Sequence, residues 1–95
     1  MFIFIFNWIV INNDYIKKIL FRANHRGTKE MDLVLGGFFS KNFNLLNKEE
    51  LSQFETLLNF SDKRLTDFFV MNKKDNDLEQ INLVKKIKNF IINKQ

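Results

Sequence analysis

The sequence predicts an all-α fold, a single-domain compact five-helix bundle. Apolar residues recur at helical spacing in every segment from residue 13 onward, proline is absent, and the polar breaks between segments span only a few residues. The chain of 95 residues is one domain's worth, with 45% apolar residues and a mean hydropathy of −0.22, ordinary for a globular protein. Twelve phenylalanines supply large anchors for its core. A chain this short holds one core and no deep cleft between lobes.

Residues 1–12 read as an apolar N-terminal extension, and 13–95 as the helical domain. The run MFIFIFNWIVI carries no charge. It is shorter than the roughly 20 apolar residues a spanning helix needs, and it lacks the basic start and small-residue cleavage site of a signal peptide. Two readings stay open for it, a β-prone extension from an upstream start and a short packed or membrane-touching segment. Nothing downstream reads as a membrane span.

Each helix then has its own signals. Asn13-Asp14 is an N-cap pair for a first helix that turns Ile16, Ile19 and Leu20 inward and ends near Ala23-Asn24, before Gly27. A second helix places Met31, Val34, Leu35, Phe38 and Phe39 at i, i+3, i+4, i+7 and i+8, a full core stripe. Gly36-Gly37 lies inside it, each disfavoured by about 1 kcal/mol relative to alanine, so the pair predicts close approach of a neighbouring helix or a partner. Asn47-Lys48-Glu49-Glu50 is a capping box with Asn in the first position. It opens a third helix with Leu51, Phe54 and Leu58 inward. Ser61 caps a fourth, which buries Leu65, Phe68 and Phe69. After a polar loop over residues 73–76, Asp77 starts a fifth helix with Ile81, Val84, Ile87 and Ile91.

Candidate catalytic groups are scarce. Cysteine is absent and His25 is the sole histidine, which leaves no thiol nucleophile, no zinc set and no Ser-His-Asp arrangement. Glu49-Glu50 falls in a helix's first turn, where the macrodipole favours acids anyway. There is no glycine loop to cradle a phosphate. The residues therefore nominate no catalytic and no metal-binding group, and the chain is not expected to be an enzyme.

The net charge is +4 and the pI about 9.5, which favours acidic partners without choosing among them. Lys17, Lys18, Arg22, Arg26 and Lys29 stand between Tyr15 and Lys29 with no acid among them. Lys18, Arg22 and Arg26 follow i, i+4, i+8, so a continuing helix would align them. An exposed, solubilising face explains this better than a nucleic-acid site. No nucleic-acid signature accompanies the bases, and the aromatics fall on buried stripes instead of interleaving with them. A small basic helical nucleic-acid-binding or regulatory protein is the alternative reading.

The segment Arg26-Gly27-Thr28-Lys29-Glu30-Met31-Asp32 carries most information. Locally it reads as a helix break followed by a first turn. In context it is one of a series: Arg22, Arg26-Gly27, Glu30, Asp32, Leu35-Gly36 and Phe38, then Leu46, Glu49-Glu50, Phe54, Leu57-Leu58, Asp62 and Leu65. In order and spacing, over roughly residues 16–92, this series resembles the SdhE-type FAD assembly factors, also called succinate dehydrogenase assembly factor 2. The departures are Thr28 where Met is common, His25 where Arg is common, Phe68 in place of a frequent Trp, and Asp62-Lys63-Arg64 in place of Asp-Pro-Asp. Residues 1–12 have no counterpart in that family.

The resemblance implies a five-helix protein that binds the flavoprotein subunit of succinate dehydrogenase, and in some bacteria that of fumarate reductase. It implies that the chain promotes covalent attachment of FAD to a histidine of that subunit and keeps no stably bound flavin itself. It further implies partner binding through Arg26, Gly27, Glu30, Asp32 and Arg22, and a place in the bacterial cytoplasm or the mitochondrial matrix. A monomer that binds no nucleic acid is expected. On that basis Gly27 is expected to admit the partner's backbone, Arg26 to donate to a partner carboxylate or carbonyl, and Glu30 to accept from the partner or hold Arg26.

Overall fold

The computed structural model describes residues 13–94; the apolar extension of residues 1–12 and the cap expected from Asn13 lie outside what it describes. All regular structure in the described residues is helical. Helix α1 runs over Asn13–Asn24. The second segment is one rod in three pieces: α2 (Lys29–Met31), a π-helical stretch (Asp32–Gly36) and α3 (Gly37–Asn42), ending in a 3₁₀ turn over Phe43–Leu45. Then come α4 (Lys48–Leu58), α5 (Asp62–Phe69), the short α6 (Asn76–Glu79) and α7 (Leu83–Lys94).

The expected inward faces are buried. Ile16, Ile19, Met31, Leu35, Phe38, Phe39, Leu51, Phe54, Leu58, Leu65, Phe68, Phe69, Val84 and Ile87 all belong to one core, with Leu20, Val34, Ile81 and Ile91 packed against it. Phe54 is its centre, with Phe39 stacked at 4.8 Å between ring centroids and Phe38 at 6.2 Å. Such pairs add about 0.5–1.5 kcal/mol to what burial alone provides. Both expected caps are formed. The Asn47 side chain accepts from the Glu50 N–H at 2.8 Å while Glu50 accepts from the Asn47 N–H at 3.1 Å. Ser61 Oγ accepts from the Arg64 N–H at 3.2 Å.

Two elements differ from expectation. The second helix is not uniformly α, because Asp32–Gly36 widens to π geometry. Here α1 comes closest to the rod. A Cβ on Gly36 would lie 2.1 Å from Asn24 Oδ1 and 3.2 Å from the Ala23 carbonyl oxygen. Gly36 thus meets a neighbouring helix, while Gly37 has only ordinary contact with Phe90.

The fifth segment is also cut in two. Asp75, not Asp77, caps α6, accepting from the Asp77 and Leu78 N–H groups at 3.1 and 3.3 Å. Helix α7 starts afresh at Leu83, whose N–H donates to Gln53 Oε1 of α4 at 2.9 Å. A side chain from another helix satisfies a donor that an uninterrupted helix would have satisfied internally. The break lets both Leu78 and Leu83 reach the core.

Candidate functional site

Helix α1 ends at Asn24, so Arg26 leaves the face it would have shared with Lys18 and Arg22 on a longer helix. Its guanidinium turns inward instead. Nη1 donates to the Leu58 carbonyl at 2.7 Å, Nη2 to the Phe60 carbonyl at 2.7 Å, and Nε to Asp62 Oδ1 at 2.8 Å. The Leu58 carbonyl is an orphan acceptor at the end of α4, a place where arginine is favoured by both hydrogen bonding and the helix dipole. Asp62 stands in the first turn of α5, and its second oxygen accepts from the Gly27 N–H. The Arg26 N–H donates to Asp32 Oδ1 at 2.6 Å. One arginine therefore fastens the loop between α1 and α2 to the turn between α4 and α5.

The other two arginines converge on the same turn. Arg22 Nη2 donates to Asn59 Oδ1 at 2.9 Å. Arg64 lies over the Phe60 ring, 4.7 Å from its centroid, and grips Asp75 with Nε and Nη2 at 3.0 and 2.8 Å. That grip, with lesser help from the Leu78 and Asp77 N–H groups, holds the Asp75 carboxyl below its ordinary value.

Gly27 has a different use from the one expected. No glycine here has positive φ, so Gly27 is not a left-handed cap. A Cβ at this position would lie 2.6 Å from Asp62 Oδ2. The close approach that Gly27 permits is that of the chain's own carboxylate. Thr28 then caps α2, its Oγ1 accepting from the Met31 N–H at 3.3 Å. The residue that stood out as a departure from the resemblance has a plain structural task.

Glu30 contrasts with these. It is exposed in the first turn of α2, and among the described residues it makes no hydrogen bond or ion pair. It does not hold Arg26; Asp62 does. Of the five candidate residues, Arg22, Arg26, Gly27 and Asp32 build and fasten the loop, and Glu30 is left facing outward from it. On α1, the exposed Phe21 ring stacks on His25 at 3.9 Å. Among the described residues no cluster of three or more His, Cys, Asp or Glu side chains could hold a metal ion, and no helix is long and apolar enough to cross a membrane.

A family model described as "Flavinator of succinate dehydrogenase" matches residues 17–91, which runs from within α1 through the fastened loop to within α7. The chain belongs to that family. Among curated proteins, the FAD assembly factor SdhE of Acetobacter pasteurianus is 44% identical over 52 residues, covering 55% of this chain and 48% of that protein. The mitochondrial succinate dehydrogenase assembly factor 2 of Saccharomyces cerevisiae is 30% identical over 82 residues, covering 82% of this chain and 51% of that protein. The Caenorhabditis briggsae protein of the same name is 26% identical over 81 residues, covering 82% of this chain and 66% of that protein. The chain thus spans about half the length of the bacterial and yeast relatives. No solved structure matches it.

Within the flavinator family frame, the sequence reveals the motif but not its fastening. Asp62 is visible there as a matching residue and as a first-turn acid. Nothing local ties it to Arg26, 36 residues away. The cap at Thr28 is different, since Thr just before a helical run is a standard N-cap by residue type alone.

Proposed function

We propose that this chain is a non-catalytic helper that binds the flavoprotein subunit of succinate dehydrogenase and promotes covalent attachment of FAD to a histidine of that subunit. The bond-forming chemistry rests with the flavin and the flavoprotein, and the flavin stays with the partner. The chain acts as a monomer, in the bacterial cytoplasm or the mitochondrial matrix. Its membership of the flavinator family supports this reading, together with one observation. Glu30, exposed and without a hydrogen bond or ion pair among the described residues, stands in the first turn of α2, just after a loop that Arg26, Gly27 and Asp32 hold in place.

A carboxylate on a fastened loop loses little conformational freedom when it meets a partner donor, so more of the contact energy is kept as affinity. Arg22, Arg26, Gly27 and Asp32 serve the interface by fixing the surface from which Glu30 acts. Binding then favours the flavoprotein conformation in which histidine and flavin are aligned, a proximity effect delivered through selection of a conformer.

Co-expression tests this directly. The flavoprotein subunit, produced with and without this chain in a host lacking its own assembly factor, is assayed for covalent flavin by in-gel fluorescence. The expected result is a strong rise in covalent flavin when the chain is present. Equal flavin in both cases, with the chain folded and expressed, contradicts the proposal.

A further inference from the structure

The outward face of α1 presents Lys17, Lys18, Phe21, Arg22 and His25, all exposed. An isolated exposed phenylalanine is common and by itself signifies little. This one is held in place. Phe21 is 62% exposed, yet its ring stacks on His25 at 3.9 Å with an interplanar angle of 17°. His25 is itself fixed, with Nδ1 2.8 Å from the Phe21 carbonyl oxygen at the end of α1. Arg22 is steadied by Asn59. The aliphatic stems of Lys17 and Lys18 join Phe21 and Arg22 in lining a shallow apolar depression. Asp14 is the one acid within a helical turn of Lys17 and Lys18, and among the described residues Lys17, Lys18 and Arg22 form no ion pair.

An ordered aromatic set in an apolar hollow and ringed by cations has the form of an interface anchor. Its charge fits an acidic partner surface. Resting on the function proposed above, we infer that this face of α1 is a second docking surface for the flavoprotein. It takes an acidic segment of that protein, with an apolar side chain of the segment covering Phe21. In the chain this face is followed at once by the fastened loop, His25 being the residue before Arg26.

The test is the affinity of the intact chain for the purified flavoprotein at low and high salt. It compares the parent with Phe21→Ala and with the double variant Lys17→Glu/Lys18→Glu, and melting temperatures are measured alongside. Loss of a central aromatic anchor should weaken binding about tenfold or more. Charge reversal should weaken it by a similar factor at low salt and flatten its salt dependence. Both variants should melt like the parent. If the parent binds and both variants bind equally well, this inference fails while the proposed function stands. If the parent does not bind at all, both fail. Phosphatidylserine-containing vesicles form the remaining arm. Vesicle binding by the parent that Lys17→Glu/Lys18→Glu abolishes, with flavoprotein affinity unchanged, would assign the face to lipid and overturn the inference.

Discussion

Arg26 and Asp62, 36 residues apart, meet at 2.8 Å in an ion pair whose side chains are only 12% and 22% exposed. The pair joins the loop that carries the family motif to the turn between two core helices. It makes the motif's geometry a property of the tertiary structure.

Asp62→Ala leaves Arg26 Nε and the Gly27 N–H without their acceptor. Because the pair retains some contact with water, the loss is put at about 2 kcal/mol, below that for a fully buried pair. That corresponds to a fall of roughly 8–16 °C in melting temperature. Gly27→Ala and Gly27→Arg place a Cβ against Asp62, so they too should destabilise. A double-mutant cycle checks the cause. In the Asp62→Ala background, Gly27→Ala should have little further effect; full additivity would show that the two positions are uncoupled.

The adjacent glycines should respond oppositely. Gly36→Ala pushes a Cβ into the Asn24 side chain, which must give up its hydrogen bond to the Leu20 carbonyl, and tightens the contact with the Ala23 carbonyl, so it should destabilise. Gly37→Ala meets only ordinary contact with Phe90 and gains helix propensity, stabilising by roughly 0.5–1 kcal/mol. Thermal melts of the two single variants decide the matter, and equal shifts would contradict the packing described.

Phe54→Ala removes the ring at the centre of the aromatic stack and should destabilise by about 3–5 kcal/mol. Phe38→Ala and Phe69→Ala should fall in the same range, since both rings are buried. Urea titrations followed by circular dichroism check this. Unchanged midpoints would place the core elsewhere.

Acid should weaken the hold of α5 on α6. Asp75 is held below its ordinary value of 3.8, first by Arg64. A lowered carboxylate contributes stability that is fully present above its unfolded value. That contribution declines as the pH drops below the unfolded value and is gone once the pH has passed through the folded one. Asp75→Asn keeps a capping oxygen but cannot titrate. Melting curves from about pH 6 to about pH 2 should therefore show a shallower acid decline for the variant. Parallel curves would mean the carboxylate's charge does not matter there.

Much of this architecture is legible along the chain. The stripe from Met31 to Phe39 and the caps at Asn47 and Ser61 follow from residue type and spacing, because neighbouring residues determine them. The Arg26–Asp62 pair is not legible, since hydrogen bonds across 36 residues leave no periodic trace. The π-helical turn escapes for a related reason. It coincides with the close approach of Gly36 to Ala23, a contact between helices. Similarly, the division of the last helix depends on Gln53 reaching Leu83. As for the candidate site, its five residues are nominated from the sequence by resemblance alone. Their separation into a fastened loop and one outward-facing carboxylate needs the fold.

The most direct test of the central claim is Glu30→Ala, measured for both melting temperature and covalent flavin in the co-expressed flavoprotein. Glu30 has no partner among the described residues, so the variant should melt within about 1–2 °C of the parent, as surface substitutions do. In-gel fluorescence of the flavoprotein should nonetheless fall severalfold, since the proposed function has the Glu30 carboxylate act across the interface with the flavoprotein. Full flavinylation by a well-folded Glu30→Ala chain would contradict the account.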